Sequence, residues 1–303
     1  MSLAPIALFV YKRLNNTKQT IQALLDNKLV KESDLFIFSD AAKDPQSQTA
    51  VNEIRKYLDT ISGFKTVKII HREQNYGLAK SIISGVSDIV NRFNKVIVLE
   101  DDLVVSPYFL QFMNEGLDLY QQDEQVASIH GYALPVNKAL PETYFLRGAD
   151  CWGWATWQRA WNKFEPDGQI LLAKLKASAL IPEFDFYCSS HYAKMLADQI
   201  AGKNNSWAVR WYASAFVNHM YTLYPGKSLV RNVGMDSSGE HCITTNVMDV
   251  ELSSMPVALK RIPIEKNQIA YDAYVDFFKK VRGTLAQRIF RKMIRLFKVF
   301  RPC

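Results

Sequence analysis

The first 125 residues alternate two kinds of hydrophobic pattern. Short apolar runs with the length and β-branched content of buried strands occur four times: "PIALFVY" (5–11), "DLFIFSD" (34–40), "KTVKIIHR" (65–72) and "KVIVLEDD" (95–102). Between them, "NNTKQTIQALLDN" (15–27), "PQSQTAVNEIRKYLDTI" (45–61) and "GLAKSIISGVSDIVNRF" (77–93) space their apolar residues by three and four, the period of one helical face. Asn16 or Thr17 is the expected cap of the first helix, and Pro45 opens the second. Strand–helix alternation predicts an α/β fold: a mostly parallel central sheet with right-handed crossovers and helices on both faces. Ligands of such sheets bind beyond the carboxyl ends of the strands. The polar residues expected on that rim are Tyr11 to Arg13, Ser39–Asp40, His71 to Asn75 and Glu100 to Asp102.

Beyond residue 125 the pattern loosens. "VASIHGYALP" (126–135) reads as a strand, "NSWAVRWYASAFVNH" (205–219) as a helix and "SLVRNVGMDSSGEHC" (228–242) as a Gly- and Ser-rich loop. "CWGWATWQRAW" (151–161) holds four of the six tryptophans. Most tryptophans are core, so at most two of these are expected at a site, with Arg147 and Asp150 as the polar neighbours to follow. Without a repeat or a low-complexity linker, the economical division is one domain with halves 1–125 and 126–275, followed by a helix over 276–303.

Composition narrows the class. The 303 residues are 48% apolar and 22% charged, ordinary for a globular chain, and hold no apolar run of about 18 residues that would span a membrane. The start, "MSLAPIALFVYKR", has no basic leader and runs into a strand, which is not a signal-peptide pattern. Four cysteines, at 151, 188, 242 and 303, lack metal or disulfide-framework spacing and suit a reducing compartment. The net charge of +7 belongs to the tail, because nine Lys and Arg and no acid lie between Phe277 and Cys303. Removing those nine leaves 28 basic against 30 acidic residues, a body of about −2, which argues against a nucleic-acid partner. Phe278, Val281, Leu285, Ile289, Met293, Leu296 and Phe300 form an apolar stripe among these basic residues. A helix of that kind lies in a membrane interface, packs on the protein's own body or pairs two subunits; the unopposed positive charge favours the membrane.

The candidate chemistry centres on Glu100, Asp101 and Asp102. Three like charges at a strand end are costly near a core unless a cation offsets them. In an extended segment the middle carboxylate points away from the other two. A hard divalent cation suits such oxygens and takes one or two protein carboxylates together with phosphate oxygens. The alternative is a strand end in water, its acids hydrated or capping a helix at Ser106-Pro107. "NYGLAK" adds Gly77 at a loop-to-helix junction, where exposed amides favour an anion, and Lys80 one turn further; the plainer reading is a turn glycine and a solvated lysine.

Taken together, the first strand ending in a basic pair, the second ending in Ser-Asp, "REQNYGLAKSIISGV" and "VLEDDLVVSPYFL" resemble the GT-A fold of nucleotide-sugar glycosyltransferases. The Glu-Asp-Asp form is most similar to the N-acetylglucosaminyltransferase I type and its bacterial relatives. The resemblance covers about the first 110 residues and continues more weakly through "LRGADCWGWATW" and "KFEP". It implies a metal-dependent hexosyl or N-acetylhexosaminyl transferase that uses Mn²⁺ or Mg²⁺ and a nucleotide-sugar donor, with UDP the expected nucleotide. Asp102 would bind the metal; Glu100 and Asp101 would orient the nucleotide and water; Arg13, Tyr11, Asp40, Asn75, Gly77 and Lys80 would line the donor. His241, in a loop with Gly234, Asp236 and Gly239 that suits a lid, would be a second metal ligand. An inverting reaction needs a carboxylate base. The family's tryptophan-flanked acidic pair is replaced here by Ala208 and Val209 in "SWAVRW", leaving Asp150, Glu165, Asp198 and Asp236 as candidates. The implied setting is the inner face of a membrane, with a glycan or lipid-linked acceptor in surface-polysaccharide synthesis. A GT-A protein that binds carbohydrate without turnover is the alternative. A sugar-nucleotide pyrophosphorylase is disfavoured, because "VYKRLNN" lacks the glycines that would hold a triphosphate.

Overall fold

The computed structural model describes residues 2–234 and 247–282. Its first part follows the alternation: β1 (Ile6–Val10), α1 (Leu14–Leu25), β2 (Asp34–Ser39), α2 (Pro45–Leu58), β3 (Thr66–His71), α3 (Gly77–Phe93) and β4 (Lys95–Glu100). The chain continues through β5 (Leu103–Val105), α4 (Phe109–Leu119), β6 (Val126–His130), β7 (Thr143–Arg147), β8 (Trp154–Trp157), α5 (Gln158–Trp161), α6 (Gly168–Ala177) and α7 (Ile181–Phe184). It ends in α8 (Tyr192–Ile200), α9 (Trp207–Val217), β9 (Tyr221–Pro225), β10 (Val230–Asn232) and α10 (Gln268–Arg282).

An eight-stranded mixed sheet runs β3-β2-β1-β4-β8-β6-β9-β7. The β3-β2-β1-β4 half is parallel, and β8 enters antiparallel to both β4 and β6. Strands β1, β2 and β4 are almost wholly buried, as expected of parallel strands covered by helices on both faces. The tryptophan segment explains the antiparallel insertion. Trp154, Trp157 and Trp161 are 0%, 4% and 5% exposed, and Trp154 and Trp161 both pack on Trp211 of α9. Helix α9 is therefore a core element, which suits an apolar "SWAVRW" better than it suits a catalytic acid.

Three local expectations change. The cap of α1 is Arg13, while Thr17 is buried inside the helix with its hydroxyl donating to the Arg13 carbonyl at 2.9 Å. The loop expected from residue 228 begins with β10, which pairs antiparallel with β5. Helix α10 starts at Gln268 instead of 276, because Ala270, Tyr271, Tyr274 and Phe277 pack into the body. Residues 283–303, with most of the basic stripe, lie outside the described residues. Among the described residues no helix is long and apolar enough to cross a membrane.

Candidate active site

The register of the parallel half decides where polar side chains meet. Val10 lies opposite Ser39, Ser39 opposite His71, and Phe9 opposite Glu100. The residues that follow these strands therefore share one rim. Strand β4 stops at Glu100, and a turn at Asp101-Asp102 breaks the expected alternation. Both of these carboxylates face Arg13. Its Nη2 donates to Asp101 Oδ1 and, at 2.9 Å, to Asp102 Oδ2. The Tyr11 amide donates to Asp101 Oδ2 at 3.4 Å, and Thr20 Oγ1 donates to the Asp101 carbonyl at 3.0 Å. Asp101 and Asp102 are 4% and 8% exposed.

One guanidinium does not balance three acids. Burial pushes the Glu100 carboxyl up to about 8, with Asp102 and Asp101 adding to the rise. Burial also pushes Asp101 up to about 6, with Arg13 pulling it back and Asp102 adding to the rise. Arg13 itself is held above its usual range: burial opposes its charge, and the two aspartates outweigh burial. Ionised, the cluster carries two excess negative charges in a poorly hydrated place. A divalent cation matches that charge and the all-oxygen donor set. Among the described residues no three His, Cys, Asp or Glu side chains form a closed metal site. An Mg²⁺-type ion, completed by water and phosphate oxygens, does not need one.

The β5–β10 ladder brings a second segment to the same point. Asn232 pairs with Leu103, and the Val233 amide donates to the Asp102 carbonyl at 2.8 Å. Gly234 then sits directly against the cluster. A Cβ there would overlap Asp102 Oδ2 and come within 2.8 Å of Arg13 Nη1, so only glycine lets the chain pass this close. Asp236, Gly239 and His241 follow, outside the described residues. On the far side of that segment, the Met248 carbonyl accepts from Tyr132 Oη at 2.7 Å.

The turn before α3 is built on Asp40. Its Oδ1 accepts from the amides of Ala41 (2.9 Å) and Tyr76 (2.8 Å), and its Oδ2 from the Gly77 amide (2.9 Å). The anion expected at this helix start is thus supplied by the chain itself. Gly77 has φ +69°, a left-handed conformation that favours glycine. Asn75 Nδ2 donates to the Ala41 carbonyl at 2.7 Å and ties the two loops together. Tyr11 Oη accepts from the Lys43 amide at 3.0 Å. Lys80 is exposed with its ammonium 4.1 Å from the Tyr76 ring centroid, whose other neighbour is the Arg72 guanidinium at 4.6 Å.

Strand β8 carries the second half to this rim. Val98 pairs with Trp154 in the antiparallel sense, so the register runs residue 152 toward residue 100. Buried His130 fixes the approach: Nδ1 pairs with the Tyr132 carbonyl (2.9 Å), and Nε2 accepts from the Trp152 amide (3.1 Å). Those partners define an Nδ1–H neutral imidazole, and burial lowers its pKa accordingly. Burial raises the Cys151 thiol well above its usual range, and Asp150, Glu100 and Asp102 each add to the rise. Cys151 thus lies within the fields of both Asp150 and the acidic turn. Asp150 is half-buried and accepts from the Cys151 amide at 2.9 Å. Trp152, half-buried and edge-on to Tyr132, is the exception among four otherwise buried tryptophans.

Other candidates have local duties. Glu165 Oε1 accepts from the Asp167 amide beside the start of α6 (2.8 Å). Asp198 is paired with Lys194 and, at 3.7 Å, with Lys203. Arg147 holds Glu183 at 3.1 Å and the Phe216 carbonyl at 2.9 Å.

No family model matches the chain, and no curated protein matches it. The solved structures with local similarity include glycosyltransferases. A mannosyltransferase of Pyrobaculum calidifontis in complex with GDP-Man and Mn²⁺ is 10% identical, with 72% of this chain and 71% of that one covered and a TM-score of 0.36. Staphylococcus aureus TarS in complex with UDP is 13% identical over 45% of this chain and 38% of that one, with a TM-score of 0.31. The match to another TarS crystal structure, at 13% identity and a TM-score of 0.32, covers 46% of this chain and spans 24% of its partner. Likeness at this level assigns the chain neither activity nor ligand.

Proposed function

We propose that the chain is a metal-dependent glycosyltransferase that moves a sugar from a nucleotide-diphosphate donor, UDP being the first nucleotide to test, to a glycan or lipid-linked acceptor. The observation that carries this reading is the acidic turn. Glu100, Asp101 and Asp102 are gathered at the carboxyl ends of parallel strands with Arg13 paired to both aspartates, and a polar rim from β1, β2 and the α3 turn lies beside them. The resemblance of four sequence motifs, in order and each at a strand end, to GT-A transferases points the same way.

In this reading Asp102 would hold Mn²⁺ or Mg²⁺, with Glu100 and Asp101 orienting nucleotide and water, and the cation would supply charge to offset a diphosphate leaving group. Arg13 orients the two aspartates. Tyr11, Asp40, Asn75 and Gly77 shape the floor for the nucleoside, and exposed Lys80 reaches toward its phosphates. Asp150 takes the proton of the attacking hydroxyl, because the antiparallel β4–β8 register carries its segment toward Glu100. Trp152 offers a flat apolar face to a sugar ring. Attack opposite the leaving group would invert the anomeric centre. His241 would be a further metal ligand and Asp236 a competing base, both outside the described residues. The basic tail, 277–303, would hold the enzyme at the inner face of a membrane, where surface-polysaccharide precursors are built.

The test is turnover with a panel of nucleotide sugars, Mn²⁺ and hydroxylated acceptors, following release of the nucleoside diphosphate. Release that needs metal and is reduced at least roughly a hundredfold in Asp150→Asn, with donor affinity unchanged, supports the reading. Donor binding without turnover across the panel favours a carbohydrate-binding protein instead.

A further inference from the structure

A second site stands apart from the acidic rim, where the turn between α7 and α8 meets the end of α10. Phe186, Tyr187 and Cys188 follow one another at φ +49°, +51° and +61°. Consecutive left-handed L-residues are uncommon and cluster at ligand-binding turns. The turn is tied by hydrogen bonds from the Tyr187 amide to the Pro182 carbonyl (2.7 Å) and from the Ser190 amide to the Asp185 carbonyl (3.0 Å). Beside it lies an open pocket of about 570 Å³ lined by Ser190, His191, Tyr192, Met195, Phe278 and Arg282.

Two polar atoms there lack what burial normally requires. Ser190 is 9% exposed, and its hydroxyl has no hydrogen-bond partner among the described residues. Arg282 Nε is buried and equally unpartnered, while Nη1 donates to the Cys188 carbonyl at 2.6 Å. Among the described residues no carboxylate forms an ion pair with Arg282. The nearby acid, Asp185, is engaged elsewhere, since its Oδ1 accepts from the Ala193 amide at 2.8 Å. Buried polar groups are normally satisfied, so an unpartnered hydroxyl and an unpartnered guanidinium N–H on two residues that line one cavity call for an acceptor. A guanidinium and a hydroxyl in the lining of one pocket suit a phosphoryl oxygen pair. Met195 and Phe278, in the same lining, suit a hydrocarbon chain.

We propose that this pocket binds a phosphate ester carrying an aliphatic chain, with the phosphoryl group between Ser190 and Arg282 and the chain along Met195 and Phe278. The site does not depend on the transferase reading, and its test leaves that reading untouched. Full-length protein is titrated by calorimetry with octyl phosphate, octyl glucoside and inorganic phosphate, all below micelle formation. Saturable octyl phosphate binding is expected, at least roughly tenfold tighter than either control. Arg282→Gln should weaken it by roughly tenfold or more, and Ser190→Ala by a smaller factor, with circular dichroism and melting temperature unchanged. Failure of octyl phosphate to bind overturns the proposal, as does equal binding of octyl glucoside. Inorganic phosphate binding as tightly as octyl phosphate, or affinity unchanged in a folded Arg282→Gln protein, overturns it too.

Discussion

At the residue scale, the acidic turn sets three carboxyl groups against one guanidinium. Glu100 and Asp101 are raised by burial to about 8 and about 6, above the ordinary carboxylate values an unfolded chain would show. Between those values the folded protein binds more protons than the unfolded one, so these groups lower stability as pH rises from about 4 to about 8. Glu100→Gln removes the larger of the two effects. In EDTA its melting temperature should exceed the parent's at pH 8, with the gap closing toward pH 5; a gap that is constant with pH contradicts the assignment. Gly234 makes a separate prediction. Alanine there must displace Asp102 or Arg13, at a cost of about 1–3 kcal/mol in local packing. A Gly234→Ala protein should keep its fold and lose metal-dependent donor affinity, and unchanged affinity would show that the close approach is incidental.

At the element scale, much of the parallel half was legible because buried strands and amphipathic helices have unmistakable periods. What escaped the reading depended on partners distant in sequence. The three-residue strands β5 and β10 carry too little pattern to stand out alone, and only their pairing brings Gly234 to Asp102. The rim position of Asp40 followed from the strand pattern; its bonds to the Tyr76 and Gly77 amides depend on a turn thirty-six residues away. The insertion of β8 between β4 and β6 likewise needs the tryptophan core before it can be seen. Asp40 is thus the joint between β2 and α3. Asp40→Ala leaves three amides without their acceptor and should lower unfolding free energy by about 1–3 kcal/mol in urea titration. Asp40→Asn, retaining one carbonyl oxygen, should fall between the two. An unchanged midpoint for Asp40→Ala would mean that water replaces the carboxylate freely.

At the scale of the whole molecule, charge and chemistry are separated. The body gathers excess negative charge at one rim, and the positive charge lies in the last 27 residues. Because Tyr274 and Phe277 are buried in the body, a deletion that spares α10 must begin at residue 283. The full chain should sediment with anionic vesicles at low salt and not with neutral ones, and deletion of 283–303 should release most of it. Equal sedimentation of both proteins would place the contact elsewhere. The central claim is that the acidic turn holds a nucleoside diphosphate through a divalent cation. Calorimetric titration of the full-length protein with UDP and GDP, in Mn²⁺ and in EDTA, tests it most directly. The account predicts saturable binding of one nucleotide in Mn²⁺, at least roughly tenfold weaker in EDTA and abolished in a folded Asp102→Ala protein. Binding that is indifferent to Mn²⁺ and to Asp102→Ala, or no binding of either nucleotide, would contradict it.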